Sequence, residues 1–398
     1  MKRNTVKEAL LSFTREFVKN SNKRPAPCRH YEFCGGCNYQ QVPYEEQLDL
    51  KLGKFKELIR LVDMEDEFEE ANIEIVDSPE SLHYRQRVDL AFKESAGFHY
   101  GGSKRVIELE ECLLMRDGSF EAFIRTRDLA RELGLAYYNS MNHTGFLRYI
   151  TIRQAKDGQR MISLLTKSNE NAEVIEKIAQ TLLDEKIAVS VHWTVNEGMA
   201  DVVFGDEYKF WGEEFIIETF HGKNFLLGPN TFFQSNPHMA EIAYGLIRQH
   251  VEEKAAKEIL DLYSGTCTIG LILSDLAEKL TAVENFPANW PMAKTNLLSN
   301  KVEHIDYRHD DVADFMKEYK GNADYLVLNP PRSGVDEKPL RAISKSGAKS
   351  ISYLSCNPMS LMDDLGILTL RYEIEKVYVL DMFPQTQHFE TLVLLKKI

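Results

Sequence analysis

The sequence predicts an α/β fold, with a doubly wound, mostly parallel sheet and an antiparallel edge over residues 225–398. From about Phe225 onward, apolar strands alternate with helical segments, as they do in parallel sheets. A glycine-containing turn, Asp261–Gly270, follows the first of these strands. Two strands then close the chain and predict the antiparallel edge. The arrangement is Rossmann-like, and an α+β region precedes it.

The N-terminal segment, residues 1–27, is predicted to be a basic helix followed by a linker. Apolar residues recur at helical spacing over 5–20, and the proline-containing stretch 21–27 has the composition of a linker. The next predicted region, residues 28–112, carries a cysteine cluster on a glycine-rich loop. It also contains a predicted helix over 44–62.

A central region, residues 80–220, is predicted to be a mixed α/β domain. Strands are expected at 87–92, 149–153 and 161–165 from their apolar patterns. Residues 172–185 are expected to form a helix. This region overlaps the end of the cysteine-containing segment.

The C-terminal region is predicted to begin with a helix over 237–251. Its strands are predicted at 258–263, 280–283, 325–328, 350–354, 373–380 and 391–396. Ligands of open α/β sheets bind outside the carboxyl ends of the strands. Polar residues that follow these strands are therefore candidate site residues.

Composition and charge exclude several classes of protein. A hydrophobic content of 43% with 27% charged residues is typical of a globular protein, and 398 residues allow two or three domains. No apolar run is long enough to span a bilayer and no secretory signal is visible, so a cytoplasmic protein is expected. The net charge of −13 argues against general coating of nucleic acid, but the first thirty residues are locally basic. Six cysteines in such a chain do not indicate disulfides.

The turn between Asp261 and Gly270 is a candidate cofactor site. Glycines allow close approach of a ligand, and Glu284, near the end of the next strand, is placed to hold ribose hydroxyls. Cys267 occupies the middle glycine position of the dinucleotide fingerprint, so pyrophosphate binding is disfavoured. A looser turn suits S-adenosylmethionine, which has no phosphate. Cys267 itself is expected to be a small buried thiol.

Three further groups follow predicted strands near the C-terminus. The string Asn329–Gly334 would suggest adenine amino methylation if an aromatic residue followed its prolines, but Arg332 stands there. Cys356 lies at the exit of an apolar strand, where a thiol is either a nucleophile or a structural residue. Glu390 precedes the last strand and would share an end of the sheet with Cys356 and Asn329.

Several strings together resemble the RNA uracil-5 methyltransferase family. They occur in the order Phe232–Asn236, Asp261–Gly270, Asn329–Gly334, Ser355–Pro358 and His388–Glu390. The resemblance implies a class I methyltransferase domain that methylates C5 of a uridine in RNA. It runs from about Cys28 to the end of the chain.

The resemblance also implies roles for individual residues. Cys356 would add to C6 of uracil, and Glu390 would remove the proton from C5. Phe232 would stack on the target base, although core packing is an equal alternative. S-adenosylmethionine would be contacted by Gln234, Tyr263, Thr268, Glu284, Asp311 and Asn329.

The cysteine cluster belongs to the same resemblance. Four cysteines match the family's [4Fe-4S] ligands, although four thiolates alone would suit zinc equally: Cys28, Cys34, Cys37 and Cys112. Many relatives carry an N-terminal RNA-binding TRAM barrel, for which 27 residues are too few, so RNA contacts are expected from the central domain, with the basic N-terminal helix as a further candidate. Arg85 and Arg87, alternate residues of one strand, resemble RNA-contacting positions and suit phosphates, with an exposed strand edge as the alternative.

The identity of the RNA is predicted less directly. Asn-Pro-Pro-Arg at 329–332 and Asp381–Pro384 resemble a branch that modifies 23S rRNA, so ribosomal RNA is favoured and transfer RNA stays open. No obligate protein partner and no membrane are implied. Two alternatives remain, an amino or cytosine-5 methyltransferase and an iron–sulfur RNA-binding or assembly factor that has lost activity.

Overall fold

The computed structural model describes residues 3–321 and 323–398. The helices predicted within 5–20 and over 44–62, 172–185 and 237–251 are all present, together with further helices. They are α1 (Arg3–Asn20), α2 (Tyr44–Leu61), α3 (Ser119–Glu132), α4 (Ala172–Asp184), α5 (Pro237–Glu253), α6 (Thr268–Leu273), α7 (Asn289–Ser299), α8 (Val312–Glu318), α9 (Glu337–Ser344) and α10 (Pro358–Leu368). The first two residues of the predicted basic segment lie outside the described residues.

The strands form two main sheets and a hairpin. They are β1 (Asn72–Val76), β2 (Arg87–Phe92), β3 (Ala96–Gly97), β4 (Leu147–Gln154), β5 (Arg160–Thr166), β6 (Ser190–Val195), β7 (Asp206–Gly212), β8 (Ile216–Phe220), β9 (Lys223–Leu227), β10 (Glu258–Leu262), β11 (Lys279–Glu284), β12 (Ile305–His309), β13 (Tyr325–Leu328), β14 (Ser350–Ser355), β15 (Tyr372–Leu380) and β16 (Glu390–Lys397).

The C-terminal sheet confirms the predicted fold class. Its strand order in the described residues is β1-β15-β16-β14-β13-β10-β11-β12, and every neighbouring pair is parallel except the two that contain β16. The chain reverses its direction of travel across the sheet between β10 and β13. This is the topological switch point, where such sheets bind ligands.

The antiparallel strand is not at the edge, where the sequence placed it. β16 lies inside the sheet, between β14 and β15. Residues 390–395 of β16 are all buried, as an interior strand requires. The alternation of strands and helices along the sequence indicates that the last strand runs antiparallel to the others. It does not indicate which two strands this last strand lies between.

An N-terminal segment forms the edge of the C-terminal sheet. β1 pairs in parallel with β15, from Asn72 opposite Lys376 to Val76 opposite Leu380. Helices α1 and α2 pack against the same sheet through a shared apolar core that includes Leu10. The predicted segmentation assigned residues 72–76 to the cysteine-containing segment, whereas they complete the sheet that holds the candidate site.

The central region contains a six-stranded sheet with the order β3-β2-β4-β5-β6-β7 in the described residues. Helices α3 and α4 pack on it around a core that includes Phe123, Ile150 and Ile178. The sequence pattern does not predict α3, β6 or β7; charged residues interrupt the apolar ones in α3 and β7, and β6 contains the polar residues Ser190, His192 and Thr194. The β8–β9 hairpin packs with α5 through Phe220 and Tyr244 and links this region to the C-terminal sheet.

The loop between β15 and β16, residues 381–389, is held from the N-terminal side of the chain. Lys51 of α2 forms a salt bridge with Asp381, with 2.5 Å between Nζ and Oδ1, and the two side chains are 1% and 0% exposed. Lys51 also donates to the carbonyl of Phe383 at 3.0 Å, and Tyr44 donates to Asp381 Oδ2 at 2.8 Å. The buried ion pair therefore fixes the start of the loop that leads into β16.

A second set of hydrogen bonds fixes the middle of that loop. The side-chain amide of Gln47 makes two hydrogen bonds with Gln385. Its Nε2 donates to Oε1 of Gln385 at 2.9 Å, and its Oε1 accepts from the backbone N–H of Gln385 at 3.0 Å. The carbonyl of Gln385 accepts from the backbone N–H groups of Asn38 and Tyr39. The phenol of Tyr84 donates to the carbonyl of Pro384 at 3.1 Å. Three separate parts of the chain thus converge on one loop.

In the part of the chain that the structure describes, no helix is long and apolar enough to cross a membrane.

Replacing Asp381 tests the role of the ion pair. Asp381→Asn would leave the buried Lys51 ammonium without a counter-charge, and we expect the free energy of unfolding in urea to fall by about 3–5 kcal/mol. The double variant Lys51→Met/Asp381→Asn should recover part of the loss, because it removes the stranded charge. Lys349→Met breaks an exposed ion pair with Asp324 and should cost less than about 1 kcal/mol. Equal small losses for Asp381→Asn and Lys349→Met would show that the buried pair does not hold the loop.

Candidate active site

The switch point of the C-terminal sheet carries two of the predicted cofactor residues. Tyr263 follows β10 directly and Asn329 follows β13 directly, and these two strands are neighbours. The backbone N–H of Asn329 donates to the carbonyl of Leu262 at 3.4 Å. The structure therefore brings both residues to the edge of the sheet where ligands bind.

The turn after β10 has a backbone suited to a ligand. Tyr263, Gly265 and Cys267 have positive φ angles of 61°, 58° and 63°, a conformation that costs non-glycine residues about 1–2 kcal/mol. A Cβ added to Gly265 would meet no atom within 4 Å, so open space lies above this glycine. At Gly270 a Cβ would lie 2.8 Å from Cys267 Sγ, so glycine is required there. Cys267 is fully buried, as expected.

The buried side chain of Asp261 stabilises this turn by a hydrogen bond to its backbone. Its Oδ2 accepts from the backbone N–H of Gly270 at 2.9 Å, while its buried Oδ1 has no hydrogen-bond partner in the described residues. Burial raises the pKa of Asp261 to about 7, although the Gly270 hydrogen bond lowers it. A carboxyl group held in this way stabilises the turn without facing the ligand.

Glu284 ends β11 beside the turn. Its two carboxylate oxygens accept from the backbone N–H of Gly265 at 2.9 Å and of Phe286 at 2.7 Å. Each oxygen can accept a second hydrogen bond, so the carboxylate is oriented and still able to receive hydroxyl donors. This geometry suits the ribose-binding role expected of it.

The remaining cofactor candidates lie around the same edge. Thr268 begins α6, and its Oγ1 is 3.2 Å from Thr266 Oγ1. Asp311 caps α8 by accepting from the N–H of Ala313 at 2.8 Å, and its Oδ2 accepts from Asn285 at 3.0 Å. Asn285 follows Glu284 in the chain, so Asp311 is coupled to the acidic end of β11.

Cys356 is the first residue after β14 and immediately precedes the cap of α10. Asn357 caps this helix and donates through Nδ2 to the carbonyl of Arg332 at 2.9 Å. The loop that contains Asn329 is thereby tied to the loop that contains the thiol. Burial raises the pKa of Cys356, the negative charge of Glu390 raises it further, and the Arg332 guanidinium lowers it.

Glu390 is the first residue of β16 and lies next to Cys356. Thr391 pairs with Ser355 and Glu390 pairs with Leu380, so the carboxyl group and the thiol lie at the same end of adjacent strands. Glu390 is 3% exposed, and burial raises its pKa to about 7, opposed by a hydrogen bond with Gln234. Gln234 also lowers the pKa of the buried Tyr244 phenol, so its amide lies near both groups.

One cleft of about 970 Å³ contains the reacting groups. It is lined by Phe232, Gln234, Cys356 and Glu390, together with the four clustered cysteines. Phe232 is 68% exposed, so the core-packing alternative is wrong for this residue. An exposed aromatic ring in the same cleft as a thiol and a buried carboxyl can stack on a planar base.

The two predicted RNA-contacting arginines differ in their surroundings. Arg85 precedes β2 and lines the cleft, with its Nε donating to the carbonyl of Arg87 at 3.2 Å. Arg87 lies in β2, forms a salt bridge with Asp89 at 3.1 Å and stacks over Phe204. Its side chain is 13% exposed, and Arg87 is not among the described residues that line the cleft, whereas Arg85 is.

The four clustered cysteines line the same cleft. They are Cys28, Cys34, Cys37 and Cys112, and the pKa of each is raised by the charge of at least one of the others. Within residues 3–321 and 323–398, no group of three or more His, Cys, Asp or Glu side chains is arranged to hold a single metal ion. A tetrahedral zinc site would need its sulfurs about 3.8 Å apart, from Zn–S bonds of about 2.3 Å.

Sequence reasoning did not select Arg332 or Tyr244 as site residues. Arg332 was noted only as a replacement for an aromatic residue, and its position beside Cys356 follows from the pairing of β13 with β14. Tyr244 lies within an ordinary amphipathic helix, and nothing in the sequence marks its contact with Gln234.

The fold and the site together define an S-adenosylmethionine-dependent methyltransferase. The family model described as tRNA (Uracil-5-)-methyltransferase matches residues 213–398. A relative from Clostridium tetani, described as an uncharacterized RNA methyltransferase, is 33% identical over 388 residues, covering 94% of this chain and 84% of the relative.

Two archaeal proteins extend the similarity over the whole chain. A tRNA (uracil(54)-C(5))-methyltransferase of Pyrococcus horikoshii is 30% identical over 389 residues, covering 97% of this chain and 89% of the relative. The crystal structure of the Pyrococcus abyssi tRNA (uracil-54, C5)-methyltransferase with S-adenosyl-L-homocysteine matches with a TM-score of 0.77 and 28% identity, covering 90% of this chain and 85% of that one. The chain belongs to the RNA uracil-5 methyltransferase family and is an S-adenosylmethionine-dependent enzyme. The alternative of an inactive assembly factor is therefore wrong.

The raised pKa of Glu390 predicts a pH-dependent gain of stability for Glu390→Gln. Folding raises this pKa from 4.5 to about 7, so the stability of the native protein is greatest below the unfolded-state value and falls as pH rises through about 7. Removing the ionisable group should raise the free energy of unfolding at pH 8 by about 1–3 kcal/mol and change it little at pH 5. Glu303→Gln, in an exposed loop, is the control and should have no effect at either pH. A Glu390→Gln gain that is equal at both pH values would contradict the assignment of a buried, ionising carboxyl.

Proposed function

We propose that Cys356 and Glu390 act together on one extruded uracil in RNA, with Cys356 as nucleophile and Glu390 as base. The observation that carries this proposal is their position at the same end of adjacent strands, in a cleft that also holds Phe232. Few other reactions need a thiol, a buried carboxyl and an exposed aromatic ring at one point.

Cys356 would begin the reaction by adding its sulfur to C6 of uracil. C5 is a poor nucleophile in the free base, and a new S–C6 bond moves the electrons of the C5–C6 double bond toward C5 and O4. The thiolate is the reactive form. Arg332 favours it electrostatically, and so does the nearby amino end of α10.

Glu390 would complete the reaction. After C5 has gained a methyl group, it still carries a hydrogen, and Glu390 would take this proton. The electrons of the C5–H bond then re-form the C5–C6 double bond, and the sulfur of Cys356 leaves C6. A base with a pKa near 7 is suited to this transfer, since it is ionised in about half of the molecules at neutral pH.

The residues at the edge of the sheet fit S-adenosylmethionine. The open space above Gly265 and the oriented carboxylate of Glu284 would receive the nucleoside, and Tyr263, Asp311 and Asn329 would complete its surroundings. When bound, this cofactor supplies the methyl group for C5. Gln234 contacts the base Glu390 and lines the cleft, so we propose that it connects the cofactor side to the reacting side.

The target uridine would have to leave its helix or loop to reach the thiol. Phe232 would stack on the extruded base and offset part of the lost stacking, which is worth about 1–3 kcal/mol per base. Arg85 would meet the RNA backbone at the rim of the cleft.

Two RNAs are candidate substrates. The Asn329–Arg332 and Asp381–Pro384 strings support 23S rRNA, while the similarity to archaeal enzymes named for uracil 54 of tRNA supports transfer RNA. Mass spectrometry of 5-methyluridine positions in both RNAs from a deletion strain separates the candidates. The same measurement distinguishes C5 methylation of uracil from amino or cytosine-5 methylation.

We also propose that Cys28, Cys34, Cys37 and Cys112 hold a [4Fe-4S] cluster with a structural role. The support for this proposal is that the four cysteines line one cleft and that they resemble the family's cluster ligands. Burial raises the pKa of Cys37 to about 12, so bound iron would be needed to keep this thiol ionised. Analysis of iron and acid-labile sulfide in anaerobically purified protein tests the proposal, and zinc alone would contradict it.

Substitution of Cys356 tests the proposed reaction. Cys356→Ala should reduce 5-methyluridine formation by at least about 10³-fold, because it removes the group that would add to C6. It should also abolish the covalent complex with RNA that contains 5-fluorouridine, whose C5 fluorine cannot leave as a proton. Both are measured with tritiated methyl transfer and denaturing gels.

Cys267→Ala is the matched control. This thiol is buried beneath the cofactor turn, away from the cleft, so the variant should keep covalent complex formation. Normal turnover by Cys356→Ala would show that the proposed mechanism is wrong.

A further inference from the structure

A second cavity, of about 310 Å³, adjoins Cys356. It lies between α1, α2, the loop that carries Arg332 and residues 387–389. Glu390 and Phe232 line the main cleft but not this cavity, whereas Cys356, Arg332 and His388 line both. The thiol therefore stands at the junction of two spaces.

The lining of this second cavity is strongly positive. Lys7 comes from α1, Lys54 from α2 and Arg332 from the loop after β13. The other polar residues of the lining are Asn357, Gln387 and His388. No aspartate or glutamate is among the described residues that line it. In a chain with a net charge of −13, a wall with three cations and no carboxylate is a marked local exception.

Lys54 is the central cation of this wall. It is half-buried, and in the described residues no carboxylate forms a salt bridge with Lys7, Lys54 or Arg332. The neighbouring cation, Lys51, is already paired with Asp381. Burial lowers the pKa of Lys54, and the charge of Lys51 lowers it further. A half-buried ammonium without a counter-ion is costly unless a ligand supplies the negative charge.

The same positive charges act on the imidazole of His388. Burial lowers its pKa first, followed by the positive charges of Arg332, Lys54 and Lys51. Cations from α1, α2 and the loop after β13 thus make the electrostatic potential in this cavity positive. The cavity also meets the amino end of the 11-residue helix α10 through Asn357, Pro358 and Met359.

The chemistry of uracil indicates what should enter this cavity. C6, the atom that Cys356 would attack, is bonded to N1, and N1 carries the ribose. In the ring, C6 lies between C5 and N1, so with C5 toward Glu390 and C6 against Cys356, N1 and its ribose would lie beyond Cys356, away from Glu390. C5, which faces Glu390, lies on the other side. The sugar–phosphate chain is thus directed from the main cleft past Cys356.

We infer that Lys7, Lys54, Arg332 and His388 form a phosphate subsite that holds the phosphodiester flanking the target uridine. This inference rests on the proposed function and extends it from the base to the backbone. A phosphate held here would fix the ribose, and through it the position of C6 against the sulfur. It would also supply the counter-charge that Lys54 lacks.

Lys54→Met tests the inference. The Michaelis constant for RNA should rise about five- to tenfold, and the slope of log affinity against log salt should become shallower by about 0.7–0.9, the contribution of one phosphate contact. The Michaelis constant for S-adenosylmethionine should be unchanged. Lys54→Arg should restore most of the RNA affinity. Without RNA, Lys54→Met should unfold at the same temperature as the wild type or higher, because it removes an unpaired charge.

Lys56→Met is the matched control, since this exposed lysine is on the same helix but does not line the cavity. If Lys54→Met and Lys56→Met change RNA affinity and its salt dependence equally, the subsite does not exist. A change confined to the Michaelis constant for S-adenosylmethionine would also overturn the inference, because the anion would then be the cofactor's carboxylate. Formation of 5-methyluridine by the wild-type enzyme in the same assay tests the proposed function separately.

Discussion

The buried ion pair between Lys51 and Asp381 is the constraint on which the candidate site depends. It joins a helix near the N-terminus to the loop that delivers Glu390, and both charges are shielded from water. Around it, Gln47, Tyr44 and Tyr84 bind the same loop. Residues far apart in sequence therefore set where β16 begins. Since β16 lies between β14 and β15, its first residue must meet the end of β14, where Cys356 lies.

The site combines two opposite electrostatic environments around one thiol. On one side, Glu390 is a buried carboxyl group whose pKa is raised to about 7 by the loss of water. On the other side, Arg332 and Lys54 provide positive charge that no described carboxylate neutralises. A uracil nucleotide has the matching polarity, with a proton to be removed at C5 and a phosphate beyond N1. In the proposed mechanism, this arrangement would orient the base before the reaction begins.

Much of the fold and part of the site could be predicted from the sequence. Alternating strands and helices carry their own periodicity, so the parallel sheet and the residues at the ends of its strands were predicted correctly. The insertion of β16 and the addition of β1 could not be predicted, because they depend on pairing between distant segments. The cationic cavity around Lys54 could not be predicted for the same reason, since Lys7, Lys54 and Arg332 come from three elements. The exposure of Phe232 likewise depends on the cleft and not on local pattern.

In the proposed mechanism, Cys356 adds to C6 of a uracil and Glu390 later removes the proton from C5 of the same uracil. Intact-mass spectrometry of Glu390→Gln after incubation with S-adenosylmethionine and natural substrate RNA tests it most directly. Because the thiol can add to C6 but the C5 proton cannot be removed, a methylated protein–RNA adduct should accumulate, and peptide mapping should place the bond on Cys356. Turnover without an adduct, or an adduct on another residue, would contradict the claim.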